Sequence, residues 1–491
     1  MSFRSCFTRQ AAHTWFIIII LTFILRKEKY GVTDAIRSIG LPENCYESLT
    51  HFFKADSWNI EDLSNGWTRT VFDQDETYRI NENCIFIIDA TKISKEGKCM
   101  PAVKRMHQES ENSGKGQYIY GHMHGTVGLA VGSEEKIFSV PISSRIHDGM
   151  NTILGWQQKS TEDNKKEQAD EKTEEKKLEL PKHPSKMIKQ AYEGLVASGE
   201  KQAFCTGDRY YHGVPVLQTL NELNETSEQK LILVTKARST ATAYEDPPVR
   251  KKGTLGRSRL KGDAVKLMKL FDTCSKEFKT STIKIYGKQR KVKYLVVDLL
   301  WGQGHYQKLR FVLVMYNGRR EILVCTDLTM DALTIIKVYS VRFKIECSFK
   351  YLKGEIGAFD YHFWSKSTPR LNRYSKKTDP DPLEAVMTEL AKQNIIKTIG
   401  AYEVYTLCGC IALGILQLNS LQLHDEFGSQ KFGYKRTHSS GYASEANMKN
   451  ILSEAIISVL ICGDNFPITK LISTKIQARK REYYTFELDS A

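Results

Sequence analysis

One segment of the sequence, LTMDALTIIKVYSVRFKIECSFKYLKGEIG (328–357), has the apolar spacing of a long amphipathic helix. Counted at about 100° per residue, four polar side chains of this helix fall within about 60° of one another: Tyr339, Arg342, Glu346 and Lys353. Four apolar side chains share another face and can anchor the helix to a core: Val341, Ile345, Phe349 and Leu352. Helix geometry alone favours a salt-bridged surface face, because Arg342 and Glu346 have the i, i+4 spacing of an ordinary ion pair.

Two aspartates change this interpretation. Asp89 ends the apolar run CIFIIDAT, and Asp208 ends the run QAFCTGD. At the end of a buried strand a carboxylate needs a cation or a set of hydrogen-bond donors, although either aspartate alone is also compatible with a turn. Together with Glu346, the two aspartates can meet at one edge of a sheet and hold two hard divalent cations through oxygen ligands. Such a pair of ions supports phosphodiester transfer.

The predicted elements include both strands and helices in a definite order. Three strand-like runs follow Asn83, and a helical run (183–200) separates them from the strands QAFCTGD and LILVTK. Further strand-like runs follow between 291 and 327, with a hairpin bend at Asn317 and Gly318. The β-β-β-α-β-β order is therefore interrupted by a β-rich insertion before the helix that carries Glu346, and the remaining sequence is helical.

Composition favours a globular protein with a phosphate-rich partner. The chain has 491 residues, 41% of them hydrophobic, and 71 Lys and Arg against 57 Asp and Glu give a net charge of +14. Between Leu231 and Arg290 there are 15 basic and 5 acidic residues, which is suited to phosphate contact, although a solvated loop is the alternative. The eleven cysteines and the histidines His122, His124 and His147 lack the spacing of a zinc site, so we expect reduced thiols and core histidines.

The apolar run WFIIIILTFIL (15–25) is shorter than the ~20 residues that cross a bilayer. We predict that it is a buried core helix. A signal peptide is the alternative, because Arg4 and Arg9 precede the run, but no small-residue cleavage site follows it. The helical segment that comes next is compatible with DNA recognition and with plain packing.

The spacing Tyr339-x2-Arg342-x3-Glu346-x6-Lys353 resembles the Y-(2)-R-(3)-E-(6)-K signature of DDE transposases of the "insertion sequence four" group, with no departure in the gaps. The resemblance extends over about 15–366 and includes IFIIDATKI, YGHMHGTVGLAV, TGDRYY and FDYHFWSK. The C-terminal region resembles the family by position and helical character alone.

This resemblance implies an α/β (α+β) fold: an RNase H-like mixed β-sheet flanked by helices, with helical N- and C-terminal regions. It implies that Asp89, Asp208 and Glu346 form the catalytic, metal-binding triad for two Mg²⁺ (or Mn²⁺) ions. It also implies that Tyr339, Arg342 and Lys353 hold phosphates beside the scissile bond. The implied reaction is hydrolytic nicking at a transposon end and attack of the freed 3′-hydroxyl on target DNA, with or without a hairpin on that end.

We expect residues 1–78 to form a helical DNA-binding region, 79–378 the catalytic domain, and 379–491 a helical region that is a candidate for dimerisation. A charged insertion is expected at about 158–180, and the basic arm with the β-rich insertion at about 240–328. Further candidate DNA contacts lie in the arm and the insertion: Arg250, Lys251, Lys252, Arg257, Arg259, Lys261 and Trp301. Trp301 is the candidate pocket for an unpaired base, with ordinary packing as the alternative.

The sequence thus predicts a DNA transposase acting on terminal inverted repeats and target DNA, as a homodimer in the complex and without a membrane. Its location is expected to be intracellular, and cytoplasmic at the nucleoid if the host is bacterial. Two alternatives are an inactive or domesticated DNA-binding relic and a general RNase H-like nuclease, and an exported protein is a more remote one.

Overall fold

The computed structural model describes residues 3–28, 31–108, 117–157, 183–249, 257–372, 380–427, 441–462, 469–470 and 472. The charged segment predicted at 158–180 and the basic residues Arg250, Lys251 and Lys252 lie outside the described residues.

The N-terminal part is helical, as the sequence predicts. After a 3₁₀-helix (Phe3–Cys6), its helices are α1 (Gln10–Leu25), α2 (Val32–Ser38), α3 (Cys45–Lys54) and α4 (Ile60–Phe72). Helix α1 is apolar almost all round and mostly buried, which confirms the prediction of a core helix. Arg26, just beyond its end, donates from Nε to the carbonyl of Ile356 at 2.8 Å and from Nη1 to the Tyr405 hydroxyl at 2.7 Å.

The next elements build an RNase H-like core. Its strands are β1 (Arg79–Ile80), β2 (Asn83–Ser94), β3 (Lys104–His107), β4 (Tyr118–Gly132), β5 (Ile137–Ile146), β6 (Gln202–Thr206) and β7 (Lys230–Lys236). Helix α5 (His183–Ser198) precedes β6, and helix α6 (Val214–Thr226) follows it. Strand β4 pairs antiparallel with β2 on one side and with β3 and β5 on the other. Strand β6 pairs parallel with both β2 and β7, which makes the sheet mixed.

The alternating side chains of β2 bury both of its faces. Ile85, Phe86, Ile87 and Ile88 are fully buried. Phe86 points to the face covered by α5, where its ring lies against Gly194. Asp89 points to the opposite face with Ile85 and Ile87, because side chains alternate along a strand.

The β-rich insertion prolongs this sheet. Its elements are β8 (Thr242–Tyr244), β9 (Ala264–Lys266), a 3₁₀-helix (Leu267–Lys269), α7 (Leu270–Thr273), a 3₁₀-helix (Ser275–Glu277), β10 (Lys279–Ile285), β11 (Lys288–Trp301), β12 (Gln307–Tyr316) and β13 (Arg319–Cys325). Strand β13 pairs antiparallel with β7, so the described strands form one continuous thirteen-stranded sheet. The predicted bend is confirmed, since Asn317 and Gly318 have φ of 47° and 74°.

The helix that carries Glu346 is not the uninterrupted α-helix that we expected. It consists of α8 (Ala332–Ser340), a 3₁₀-helix (Val341–Phe343), α9 (Lys344–Tyr351) and a π-helix (Leu352–Ile356). Its apolar face is buried as predicted, and α9 packs on β2 and β5. The apolar spacing indicated the buried face, but long-range packing sets the local winding.

The C-terminal elements are a 3₁₀-helix (Pro382–Ala385), α10 (Glu389–Gln422), α11 (His424–Phe427) and α12 (Glu445–Cys462). By length and composition, α10 qualifies as a membrane-spanning helix, but 83% of its apolar window is buried inside the protein. It packs against α1, α3 and β5, as a central core helix does. One hydrophobic cluster therefore joins the terminal helices to the sheet, and the domain boundaries at 78 and 378 stay a prediction.

Candidate active site

Asp89 is the first polar residue after the buried run of β2. The sequence placed it at the end of a strand, but β2 continues to Ser94, because β4 pairs with it along that length. The parallel neighbour β6 does end here, with Thr206 opposite Ile87. Asp89 therefore lies where the parallel part of the sheet stops. The amide of Ala90 donates to its Oδ1 at 2.7 Å.

Asp208 lies on the turn that follows β6. The amide of Tyr210 donates to Asp208 Oδ1 at 2.9 Å, and the Thr235 hydroxyl donates to the Asp208 carbonyl. Gly207 makes this turn possible, because a Cβ there would lie 2.5 Å from the Tyr211 ring and 2.9 Å from Ile88. The turn brings Asp208 close enough to Asp89 for its charge to act on that carboxyl.

Arg342 connects the helix to the sheet. Its Nη1 lies 3.5 Å from Asp89 Oδ2, and its Nη2 donates to Glu346 Oε1. Two of the three predicted triad residues therefore meet at one guanidinium, with Asp89 20% exposed and Glu346 42% exposed. Because Arg342 also contacts Asp89, the Arg342–Glu346 pair is not the isolated surface ion pair that helix geometry alone favoured.

Tyr339 and Lys353 flank the triad. Burial raises the pKa of Tyr339 to about 12, and the charges of Asp208 and Glu346 act in the same direction. The hydroxyl of Tyr339 is therefore protonated at neutral pH and can donate to a phosphate oxygen. Lys353 lies on the π-helix, exposed, with its Nζ 3.4 Å from the carbonyl of Lys92. All four residues of the predicted stripe thus lie on one side of the sheet edge.

The negative charges of the three carboxylates would be stabilised by a bound cation. Burial raises the pKa of Asp89 from 3.8 to about 7, and the negative charges of Asp208 and Glu346 raise it too, against Arg342 and the Ala90 amide. Like charges on neighbouring carboxyls disfavour the ionised form. A divalent ion would reverse this preference, because metal ligands bind as carboxylates.

The donor set fits a hard divalent ion in its chemistry. Asp89, Asp208 and Glu346 offer carboxylate oxygens, the ligands that Mg²⁺ and Mn²⁺ take in proteins. Within the described ranges no three His, Cys, Asp or Glu side chains are arranged as a ready metal site. The carboxylates of Asp89 and Glu346 contact Arg342 instead, so the guanidinium acts as the counter-ion of these two carboxylates.

The insertion carries further basic and aromatic groups, and one of them, Trp301, contacts the segment that follows Asp208. Arg257 and Arg259 are exposed, and Lys261 Nζ lies 3.7 Å from the centre of the Tyr244 ring. Trp301 donates from Nε1 to the carbonyl of His212 at 2.8 Å. The Trp301 ring packs against His212 and Phe311, which is the ordinary packing left open as the alternative. Its role in holding an unpaired base stays a prediction.

Two exposed aromatic residues next to the triad were not found from the sequence. Phe343 is 55% exposed on the 3₁₀-helix beside Arg342, and Tyr210 is 42% exposed on the Asp208 turn. The guanidinium of Arg238 lies 5.9 Å from the Tyr210 ring centre. Phe343 could have been found from the sequence, because helical spacing places it about 40° from Tyr339, next to the polar stripe of the helix.

The histidines of β4 serve the core, as expected. His122 Nδ1 and His124 Nε2 share the hydroxyl of buried Tyr361, at 2.7 and 2.8 Å. Burial lowers the pKa of both rings, so both are neutral. His147 pairs instead with His183 and Gln190.

A family model described as DDE superfamily endonuclease matches residues 2–282, which is more than half of the chain. The match includes Asp89 and Asp208 and ends before α8, so Glu346 lies beyond it. No curated protein matches the sequence. Endonucleases of this superfamily act on DNA and generally use divalent metal ions, which indicates a function of the transposase or nuclease type. The chain belongs to the DDE superfamily of endonucleases.

Proposed function

We propose that the protein is a DNA transposase of the "insertion sequence four" type, which cuts transposon ends and joins them to target DNA. The observation that carries the proposal is the contact of Arg342 with both Asp89 and Glu346 where the parallel strands end, with Asp208 close enough for its charge to act on Asp89. The signature spacing supports the transposase assignment within the superfamily.

The triad would hold two divalent ions, Mg²⁺ or Mn²⁺. Bound there, the ions would supply activation of the attacking oxygen and stabilisation of the leaving oxygen. Each carboxylate contributes negative charge that holds the ions, and the turn at Gly207 and the β2 backbone fix two of the three carboxylates in place.

The neighbouring side chains supply contacts to DNA. Arg342 offers a two-pronged donor to a phosphate, Lys353 a mobile charge, and Tyr339 a protonated hydroxyl. The exposed rings of Phe343 and Tyr210 are available for stacking on bases. In this proposal these groups surround the carboxylates, so that a phosphate held by them would lie beside the triad.

The reaction has two displacements at phosphorus. In the first, water attacks the phosphodiester at the transposon end, and the bond to the 3′-oxygen breaks to release a 3′-hydroxyl. In the second, that hydroxyl attacks a phosphodiester of the target, forms the new bond and releases another 3′-oxygen. The cleavage products show whether a hairpin forms on the transposon end before the second displacement.

The assembly and its location follow from the same proposal. We propose that the N-terminal helices and the segment with Arg257, Arg259 and Lys261 bind the terminal repeats. A homodimer would pair two ends inside the cell, at the nucleoid if the host is bacterial.

The test is end-dependent cleavage by the whole chain. Linear DNA with the element's own ends, and the same DNA with scrambled ends, is incubated with protein in Mg²⁺ or EDTA. Metal-dependent cutting at authentic ends supports the proposal. Cutting that ignores end sequence points to a general nuclease, and binding without cutting points to an inactive or domesticated relic.

A further inference from the structure

The turn at the tip of the β10–β11 hairpin contains a tyrosine where asparagine is usual. Ile285 pairs with Lys288, so Tyr286 and Gly287 form a two-residue loop with φ of 50° and 71°. Positive φ at both positions is typical of a type I′ turn, which strongly prefers Asn-Gly. A bulky residue in this conformation is strained. The neighbouring β12–β13 hairpin has the preferred pair, Asn317 and Gly318, in nearly the same conformation.

Tyr286 contacts the helix of the active site. Its hydroxyl donates to the carbonyl of Ser340, and the Nζ of Lys344 lies 4.3 Å from its ring centre. A second link runs beside it, because Glu134 lies 3.2 Å from Lys284 of the hairpin and 3.8 Å from Lys337 of α8. The hairpin tip is thus bound to α8 and to the start of α9.

Ser340 lies where the helix changes its winding. The amide of Lys344 donates to the carbonyls of Val341 and Arg342, whereas in an α-helix it would donate to Ser340. The Tyr286 hydroxyl supplies a donor to the Ser340 carbonyl at this change. The contact lies between Tyr339 and Arg342, so it acts on the angle at which the helix presents Arg342 and Glu346.

We propose that Tyr286 is a positioning residue, which holds the active-site helix at its 3₁₀ turn and keeps Arg342 and Glu346 in place against Asp89. The proposal rests on the proposed function for its effect on cleavage. It explains why the strained tyrosine occupies a position where asparagine would give a more stable turn. The insertion then serves the triad directly, in addition to any contact with DNA.

The test uses Tyr286→Asn and Tyr286→Phe in the full chain. Tyr286→Asn gives the turn its preferred residue, so its thermal midpoint should equal or exceed that of the wild type. Its single-turnover cleavage of authentic ends, measured with protein saturating the DNA, should fall at least tenfold. Tyr286→Phe keeps the ring under Lys344 and removes the hydroxyl. Its cleavage rate should fall about fivefold, which is the effect of losing one ordinary hydrogen bond.

Asn317→Tyr is the matched control, because it builds the same strain into the exposed tip of the neighbouring hairpin. It should lower the thermal midpoint and leave the cleavage rate unchanged. Cleavage by Tyr286→Asn within twofold of the wild type would overturn the proposal, and so would equal losses of cleavage in Tyr286→Asn and Asn317→Tyr.

Hydrogen exchange separates this proposal from the proposed function. In Tyr286→Asn, amides of residues 339–347 should exchange at least tenfold faster than in the wild type, with no change in β12 and β13. If the wild type cuts no ends, the proposed function fails, and this exchange result alone decides whether Tyr286 holds the turn. Unchanged exchange in 339–347 would overturn the positioning proposal.

Discussion

Asp89→Asn should stabilise the protein in the absence of divalent ions, even though it removes a residue of the proposed triad. The substitution keeps the size of the side chain and removes its charge. Asp89 is held between apolar strands and beside two other carboxylates, and these surroundings raise its pKa from 3.8 to about 7. Above pH 7 the folded protein must carry this charge, whereas the unfolded chain carries it at little cost.

The size and sign of the effect follow from the two pKa values. Because the folded pKa is the higher one, the contribution of Asp89 to stability is complete below pH 3.8 and is lost as the pH rises through about 7. At 1.36 kcal/mol for each pH unit, the full loss is about 4 kcal/mol. Arg342 remains paired with Glu346 in the variant, so about 2–4 kcal/mol is the expected gain at pH 8.

The assay is urea denaturation of both proteins in EDTA from pH 5 to pH 8. The difference in free energy of unfolding should grow with pH and favour Asp89→Asn at pH 8. Asp263→Asn is the control, since it removes the carboxylate of an exposed residue. A difference between Asp89→Asn and wild type that stays constant over this pH range would refute the reasoning. Adding Mg²⁺ at pH 8 should then stabilise the wild type more than the variant.

Two other substitutions test parts of the site. Arg342→Ala should weaken end binding and cleavage by about 10- to 100-fold, as expected for the loss of charged hydrogen bonds to phosphate. Filter binding measures the first effect and single-turnover cleavage the second. A loss of stability in EDTA that Mg²⁺ restores should accompany it, and undiminished end binding would count against a phosphate contact. Gly207→Ala should lower the free energy of unfolding by about 1–3 kcal/mol, because its Cβ meets Tyr211 and Ile88. Urea denaturation checks this value, with Gly400→Ala as the control where a Cβ has open space.

Much of the fold could be predicted because local patterns carry it. The apolar runs indicated the strands around Asp89 and Asp208, and their order with one intervening helix agreed with the RNase H-like arrangement that the family resemblance implied. The residues Asn317 and Gly318 gave the hairpin bend, because few residue pairs adopt positive φ. The helical spacing gave both the buried face and the polar stripe of the Glu346 helix.

What the sequence did not predict depends on contacts between distant residues. The continuation of β2 beyond Asp89 comes from its pairing with β4, and the joining of the insertion to the sheet comes from the pairing of β13 with β7. The 3₁₀ turn that contains Arg342 was not predicted, and the contact of Tyr286 with Ser340 just before it joins residues 54 positions apart. The bridging role of Arg342 required knowing where Asp89 lies relative to the helix.

The most direct test of the central claim compares the wild type with Glu346→Gln on DNA that spans the authentic ends. The variant keeps the shape of the side chain and removes one charge of the triad. We predict that the wild type cuts in Mg²⁺ and not in EDTA, and that Glu346→Gln binds the same ends with little change in Kd but does not cut them. Cutting by Glu346→Gln at the wild-type rate would contradict the assignment of the triad.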